Sequence, residues 1–386
     1  MNPLPPLSLY VHFPWCVRKC PYCDFSSYAL REPLPESRYL DALEQDLAAQ
    51  APEVAGRQIG SIFFGGGTPS LFAPATIGRL LERARAALRI EPDAEITLEA
   101  NPGTVERGRF AEYAAVGVNR VSLGAQSFDA GQLAVLGRIH SPQETRLAAE
   151  ELHAAGLGNF NLDLMYGLPG QAVSGAERDV QEALALAPAH VSHYQLTMEP
   201  GTPFAARPPA LPDDEQSLAM LEHCRERLAT AGLAQYEVSA YAHPGRRCRH
   251  NLNYWTFGDY LGLGAGAHGK LTRATGEIRR TTRPREPRRY LAAARAPVSC
   301  TLVAERDRPF EFMLNALRLL DGFELSLYEA RTGLPASTVV ERLQSLAAQG
   351  LAVVTDTRWR ASERGLRFLN DLLVAFLPPS RAAVER

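Results

Sequence analysis

Six short apolar runs, each followed by a segment with helical spacing, constrain the fold of this chain more than any other feature. The runs begin near residues 8, 61, 95, 120, 160 and 191. Strands that alternate with helices predict a parallel sheet, because parallel neighbours need a long crossover connection. Six units are too few for a closed eight-stranded barrel, so we predict an α/β fold with an open (β/α)6 partial barrel. An open, doubly wound sheet is the alternative.

A cluster of three cysteines follows the first predicted strand. Cys16, Cys20 and Cys23 have the spacing C-x3-C-x2-C and come directly after the apolar run 8–14. Soft thiolate ligands select iron–sulfur clusters, zinc or copper(I). A cubane iron–sulfur cluster takes four ligands, so three cysteines would leave one iron free to bind another molecule. A zinc knuckle, or three thiols without a shared role, is the alternative.

Glycines and polar residues follow the next strands, at what should be one rim of the sheet. The second strand ends in Gly-Gly-Gly-Thr-Pro-Ser at 65–70, and glycines let backbone approach a ligand closely. The following strands end at Glu99, Gln126 and Asp163. Because strand ends at one rim carry the chemistry of such folds, these side chains predict a binding site. A local cap or turn hydrogen bond is the alternative for each.

A second motif, His250-Asn251-x-x-Tyr254-Trp255, follows the sixth unit. An imidazole can be an axial ligand of heme iron, the two aromatic rings offer flat faces to a macrocycle, and nearby arginines could pair with propionates. The alternative is a turn with one hydrogen-bonded histidine and two packing aromatics, and the chemistry alone favours it. Other histidines that could ligate heme are His193, His243 and His268.

The last part of the chain predicts three helices and a hairpin, a winged-helix-like α+β arrangement. The core stripe of its first helix, at about 310–320, is predicted to contain Phe312, Leu314, Leu317 and Leu320. Such folds often bind DNA, but the candidate recognition helix carries Arg342 as its single basic residue. We therefore predict no nucleic-acid partner and expect a lid or docking domain over the barrel.

Composition narrows the class of protein. The 386 residues carry a formal net charge of −2, which gives no general attraction to nucleic acid or anionic lipid. No apolar run approaches the length of a membrane span, and no charged segment precedes an apolar core at the N-terminus, so neither a transmembrane segment nor secretion is expected. The other three cysteines, Cys224, Cys248 and Cys300, are scattered along the chain, and we expect them to be inert thiols. This cysteine usage indicates a reducing cytoplasm and not a disulfide framework.

The order of these motifs resembles the radical S-adenosylmethionine (SAM) superfamily, in particular the oxygen-independent coproporphyrinogen III oxidases and the related heme chaperones called HemW. The resemblance covers nearly the whole chain. It implies that a [4Fe-4S] cluster is ligated by Cys16, Cys20 and Cys23. It implies that SAM is bound by Tyr10, Tyr22, Gly66, Gly67, Thr68, Glu99, Gln126, Arg138 and Asp163. The motif H-N-x-x-Y-W is associated with the chaperone branch, which implies that heme is bound by His250, Asn251, Tyr254 and Trp255.

Two functions follow from this resemblance. The first is a heme chaperone that binds heme and transfers it to recipient hemoproteins, membrane-associated respiratory proteins among them. The second is an oxygen-independent coproporphyrinogen III dehydrogenase, a radical SAM enzyme that oxidises propionate side chains. Three departures from the oxidase pattern favour the chaperone. Phe25 stands where the oxidases have a further cysteine, and the first strand begins by residue 8, where the oxidases carry an N-terminal extension over the active site. The motif H-N-x-x-Y-W, which the oxidases lack, is present.

Three regions are predicted along the chain. They are the barrel with the cluster and SAM at 1–240, a connecting region with the heme motif at 241–300, and the C-terminal domain at 301–386. No residue is assigned a catalytic role, and the sequence leaves open whether the protein forms a homodimer.

Overall fold

The computed structural model describes residues 3–103, 108–293 and 298–378. Within these residues the strands are β1 (Leu7–Phe13), β2 (Trp15–Cys16), β3 (Tyr28–Ala29), β4 (Gln58–Gly66), β5 (Arg89–Ala100), β6 (Arg120–Gln126), β7 (Phe160–Tyr166), β8 (His190–Gln195), β9 (Ala234–Glu237), β10 (Ala240–Ala242), β11 (Asp259–Leu263), β12 (His268–Thr272), β13 (Ile278–Thr282), β14 (Ser299–Leu302), β15 (Phe323–Glu324), β16 (Ala352–Thr355) and β17 (Arg358–Ala361).

The α-helices of the described residues alternate with the first strands and then cluster towards the C-terminus. They are α1 (Glu36–Gln50), α2 (Pro74–Ala87), α3 (Phe110–Ala115), α4 (Ala130–Val135), α5 (Pro142–Ala154), α6 (Val173–Ala185), α7 (Pro203–Ala206), α8 (Asp214–Thr230), α9 (Arg249–Trp255), α10 (Pro287–Ala293), α11 (Arg308–Ala316), α12 (Leu325–Thr332), α13 (Ser337–Ala348), α14 (Glu363–Arg367) and α15 (Leu369–Val374).

The six predicted strands form the parallel centre of one large sheet. Their order in the sheet, β1-β4-β5-β6-β7-β8, is their order in the chain. Every crossover therefore steps in the same direction, and right-handed crossovers then place the helices on one face. A doubly wound sheet would reverse direction at a switch point, which this sheet does not. The prediction of an open (β/α)6 partial barrel is confirmed.

Further strands extend this sheet on both sides. Strand β11 lies parallel to β1 with Leu9 opposite Leu261, and β12, β13 and β14 follow in antiparallel order. On the other side, β10 pairs antiparallel with β8, and β9 pairs with β10. The run 236–241 is not one continuous strand, because a turn separates β9 from β10. The region 241–300 thus adds its strands to the barrel sheet.

Helix boundaries follow from local capping chemistry. Asp213 begins α8 with a capping box, accepting from the Gln216 amide while the Gln216 side chain accepts from the Asp213 amide. Ser141 and Glu144 form the same motif before α5. The apolar stripe of α1, which contains Leu40, Leu43 and Leu47, is buried in the main core. The described residues contain no helix both long and apolar enough to cross a membrane.

The C-terminal domain has its own apolar core. Helices α11, α12 and α13 precede the β16–β17 hairpin, which β15 joins as a third strand, in the winged-helix-like order that the sequence predicts. The predicted stripe of α11 is wrong at Leu314, which is 46% exposed, because Met313 and Ala316 take the inward positions beside Phe312. The core also includes Phe257 and Ile278, which joins this domain to the barrel sheet. The end of the predicted domain, 379–386, lies outside the described residues.

Candidate functional site: one cavity inside the barrel

A single cavity of about 630 Å³ runs through the barrel and reaches all the predicted site residues. Its lining includes the three cysteines of the loop after β1 and the residues predicted for SAM and for heme. In β1 and β7, the only residues that are not buried are Tyr10 and Asp163, which line the cavity. Two residue sets from distant parts of the chain are therefore brought into one space.

The cysteine loop presents three half-buried thiols at one end of this cavity. Its turn is closed by a hydrogen bond from the Cys23 amide to the Cys20 carbonyl at 3.2 Å, and Lys19 Nζ donates to the carbonyls of Phe25 and Ser27. Burial raises the pKa values of the Cys16 and Cys23 thiols. A bound metal would lower them again, because thiolate is the ligating form.

The arrangement of these thiols bears on which metal they suit. Among the described residues, no three His, Cys, Asp or Glu side chains converge on a point where a single metal ion could sit. In a cubane cluster each thiolate binds a different iron, so three cysteines on one loop can ligate three of its irons. The third cysteine is followed by Asp24 and by Phe25, which is 59% exposed and also lines the cavity.

The glycine run at the end of β4 is required by close packing. A Cβ at Gly66, where φ is +113°, would lie 2.4 Å from the His12 ring, and one at Gly67 would lie 2.6 Å from the Trp15 carbonyl oxygen. The amides of Gly66, Gly67 and Thr68 already donate to Glu99, Phe13 and Trp15 respectively. A ligand at this run would therefore be held by acceptors and not by these amides, which suits an ammonium group.

Tyr10 is held in place by a buried histidine. The Ser26 carbonyl, which can only accept, lies 2.9 Å from His12 Nε2, so this nitrogen carries the proton. His12 Nδ1 then accepts from the Tyr10 hydroxyl at 2.9 Å. The Tyr10 ring stacks on Phe63 with centroids 6.3 Å apart, and both rings line the cavity.

Glu99 and Asp163 form a pair of carboxyl groups inside the cavity. Burial, with the nearby Asp163 charge, raises the pKa of Glu99 to about 8, although the Gly66 amide donates to it at 3.0 Å. Burial also raises the pKa of Asp163, against the hydrogen bonds donated by Asn161 and Ser122. Both groups would gain from a cationic ligand such as the sulfonium and amine of SAM.

Arg138 and Gln126 are fixed by residues that the sequence did not single out. Arg138 donates to Asn101, to the Gly124 carbonyl at 2.8 Å and to Cys20 Sγ at 3.8 Å, so it joins the β6 end to the cysteine loop. Gln126, in the left-handed region with φ of 68°, accepts from the Tyr194 hydroxyl at 2.6 Å. A non-glycine residue held at positive φ at a strand end marks a functional position.

The His250 motif forms the short helix α9, at another part of the same cavity. His250 is 1% exposed, its ring stacks on Phe63 with centroids 5.0 Å apart, and its Nδ1 lies 3.1 Å from Ser61 Oγ. Burial, with the Arg120 charge, lowers the pKa of His250 to about 3, so the imidazole is neutral near pH 7. Its Nε2 has no hydrogen-bond partner among the described residues. A neutral imidazole with one unused nitrogen is the form that ligates metals.

Tyr254 and Trp255 complete this part of the lining. Tyr254 packs edge-on against His250 with centroids 5.0 Å apart. The guanidinium of Arg318 lies 4.4 Å from the Trp255 ring centroid and donates to Glu237 at 2.9 Å. Arg318, which follows α11 in the C-terminal domain, also lines the cavity, and no pattern in the sequence indicated it. The C-terminal domain thus contributes directly to the cavity.

The other histidines and the arginines of the motif lie elsewhere. His193 is buried against Tyr166, His243 is half-buried and His268 is exposed; none of the three lines the cavity. Arg249 points outward and pairs with Glu91 and Asp93 on the surface. The arginine next to His250 in the sequence is therefore not available to a ligand carboxylate in the cavity, which would have to bind an arginine from elsewhere in the chain.

Comparison with known proteins places the chain among well-defined relatives. The radical SAM superfamily model matches residues 10–183, and the HemN C-terminal domain model matches residues 303–368. The heme chaperone HemW of Escherichia coli is 49% identical, over 98% of this chain and all of the relative. The heme chaperone HemW of Haemophilus influenzae is 47% identical, over 98% of this chain and 99% of the relative.

A solved structure shares the fold. The coproporphyrinogen III oxidase (HemN) of Escherichia coli, described as a radical SAM enzyme, superposes with a TM-score of 0.81 at 24% identity, covering 97% of this chain and 90% of that one. This likeness supports the barrel and the C-terminal domain as one architecture, and it carries no argument about activity.

Proposed function

Because the chain belongs to the heme chaperone HemW family of radical SAM proteins, we propose that it binds heme in the barrel cavity and transfers it to recipient hemoproteins. The observation that carries this proposal is the state of His250. Its imidazole is buried and neutral, and it lines the cavity. Nε2 has no hydrogen-bond partner among the described residues, while Ser61 Oγ is placed to accept a hydrogen bond from a protonated Nδ1. Iron at Nε2 would use this nitrogen, and the Ser61 contact would hold the ring in the required tautomer.

The flat walls beside His250 support a planar ligand. Tyr254 and Trp255 line the same region, and Asn251 adds a polar group to it. Aromatic faces bury a macrocycle without requiring further hydrogen bonds. We assign the heme site to these four residues of the motif.

The cysteine loop and strand ends would hold the two other cofactors. Cys16, Cys20 and Cys23 would ligate a [4Fe-4S] cluster, and the fourth iron would face SAM between the glycine run, Glu99 and Asp163. A cluster with bound SAM supplies one-electron radical chemistry when it is reduced. Arg138 would stabilise the thiolate of Cys20, because it donates to that sulfur. Tyr10, Tyr22, Gln126 and Thr68 would complete the pocket.

The recipients are proposed by class only. A chaperone must release heme to a protein that binds it more strongly, so the recipients are hemoproteins that lack their heme, and we include membrane-associated respiratory proteins among them. Phe25 in place of a fourth cysteine, with the H-N-x-x-Y-W motif, favours this function over the dehydrogenase.

Transfer can be measured directly. The protein would be loaded with one equivalent of heme and mixed with an apo-hemoprotein whose holo spectrum is distinct, in the presence of a scavenger that captures free heme. We expect the acceptor spectrum to form faster than the scavenger spectrum. Absence of heme binding by the parent protein, or release only into the scavenger, would refute the proposal.

A further inference from the structure

Arg120 is a buried cation whose ion pair with Glu95 is a long one. It is the first residue of β6, its side chain is 2% exposed, and its Nε has no hydrogen-bond partner among the described residues. The closest carboxylate in an ion pair, Glu95, keeps its Oε2 4.0 Å from that nitrogen, which is too far for a hydrogen bond. Burial of a charge is costly unless the charge is paired and hydrogen-bonded, so this guanidinium needs an explanation.

Glu95 is already committed to the helix that carries His250. It accepts from the amides of Arg249 at 3.0 Å and His250 at 3.1 Å, and from Cys248 Sγ at 3.4 Å. These three donors occupy the carboxylate at the start of α9. Glu95 therefore offsets the positive charge of Arg120 electrostatically, but it does not accept a hydrogen bond from Arg120 Nε.

Arg120 faces the cavity near His250. It lines the cavity, and its charge is close enough to contribute to the lowered pKa of His250. Arg120 and Gln126 stand at opposite ends of β6, and at about 3.3 Å per residue the strand separates them by roughly 20 Å. The backbone of Arg120 is thus remote from Gln126, and its charge acts on the pKa values of both His250 and Asp163.

We propose that Arg120 forms a carboxylate-binding subsite that receives a propionate of the porphyrin whose iron is ligated by His250. This inference rests on the proposed function. A guanidinium can bind a carboxylate through two parallel hydrogen bonds, and such charge-assisted bonds are the strong ones in a buried site. Heme carries its two carboxylates on one edge, so a subsite to one side of the axial ligand would also fix the rotation of the ring.

The test compares heme with heme dimethyl ester, which keeps the iron and the ring but lacks both carboxylates. Each would be titrated by visible absorbance into the parent protein and into Arg120→Gln. Arg249→Gln is the matched control, because Arg249 is next to His250 in the chain and pairs with surface carboxylates. We expect the parent to bind heme about 10- to 100-fold more tightly than the ester, because the ester cannot form the charge-assisted hydrogen bonds to Arg120.

The Arg120→Gln variant should bind heme and the ester with equal affinity, with an unchanged Soret maximum because His250 still ligates the iron. Its thermal unfolding temperature should change little, because loss of the ion pair with Glu95 and relief from burying the guanidinium act in opposite directions. Equal weakening of both ligands, unchanged discrimination, or weakened SAM binding with normal heme binding would each overturn the inference. Failure of the parent to bind either porphyrin would instead refute the proposed function.

Discussion

Glu99 shows how the cavity prepares single side chains for a ligand. Burial and the nearby Asp163 charge raise its pKa to about 8, far above the ordinary value near 4.5. In the ligand-free protein this group therefore contributes stability that is complete below about pH 4.5 and is lost as pH rises through about 8. A cation bound beside Glu99 would favour the ionised carboxylate and so lower its pKa again.

Glu99→Gln should remove a pH dependence from SAM binding. As pH rises from about 6 to 8, ionisation of Glu99 should tighten SAM binding by up to about tenfold per pH unit. The SAM amine loses its proton near pH 8 and acts in the opposite sense, so the difference between parent and variant is the diagnostic quantity. Calorimetric dissociation constants across this range would measure it, and the same slope in both proteins would exclude Glu99 from the site.

Cys20→Ser should abolish the iron–sulfur cluster, because thiolate ligation is required and serine does not replace it. After anaerobic reconstitution, we expect about four irons and four sulfides per chain in the parent and almost none in the variant. Cys300→Ser is the control, since Cys300 is exposed on β14 away from the cavity. Full iron and sulfide content in Cys20→Ser would contradict the assignment.

The sequence reveals cavity residues where a strand pattern ends in an unexpected polar group. Glu99, Gln126 and Asp163 were singled out in this way and all three line the cavity, but Asp163 lies in the middle of β7 and not at its end, so that part of the prediction is wrong. Arg120 and Asn101 carried no such signal, since a polar residue beside a loop is normally solvated. Their importance follows from burial and from partners distant in the chain, such as Arg138 for Asn101. The assigned roles in SAM and heme binding stay predictions.

At the scale of elements, α9 depends on a residue in β5. Glu95 accepts from the first amides of this seven-residue helix, which is too short to be stable alone. Glu95→Gln should lower the free energy of unfolding by about 1–3 kcal/mol, because buried donors lose a charged acceptor. Its heme complex should show a broadened Soret band as His250 loses its fixed position.

Glu91→Gln provides the matched control for α9. Glu91 lies on the same strand and pairs with the Arg249 side chain at the surface, so its loss should cost at most about 1 kcal/mol. Chemical denaturation with both variants would measure the difference. Equal shifts would show that Glu95 has no special role in holding the helix.

The parallel strands were predictable and their outer neighbours were not. Each of the six strands is an apolar run followed by a helix, which is a local pattern. Strand β11 lies beside β1, with Leu7 opposite Asp259, and no local signal connects residues so distant in sequence. The same limit explains α11, where the helical period allowed Leu314 inward but the neighbouring elements bury Met313 instead.

For the whole molecule, the C-terminal domain and the barrel act as one structure. Phe312 is at the centre of the second core and packs edge-on against Phe257 at 5.9 Å, and Arg318 of this domain reaches Trp255 in the cavity. Phe312→Ala should cost about 3–5 kcal/mol of unfolding free energy and weaken heme binding, while cluster content after reconstitution stays near the parent value.

Leu314→Ala is the control for that prediction, because its exposed side chain should change stability by no more than about 0.5 kcal/mol. Denaturant unfolding, iron analysis and heme titration on the two variants would test it. Equal heme affinity in Phe312→Ala and the parent would show that the C-terminal domain does not support the cavity.

Ligation of heme iron by His250 inside the barrel is the interaction on which the proposed heme site depends. Its most direct test is a visible-absorbance titration of the purified protein with heme, run beside His250→Ala and beside His268→Ala, whose histidine is exposed and outside the cavity. We expect stoichiometric binding with the same Soret band in the parent and in His268→Ala, and a shifted or absent band in His250→Ala. Identical spectra and affinities in the parent and His250→Ala, or no specific binding by the parent, would contradict it.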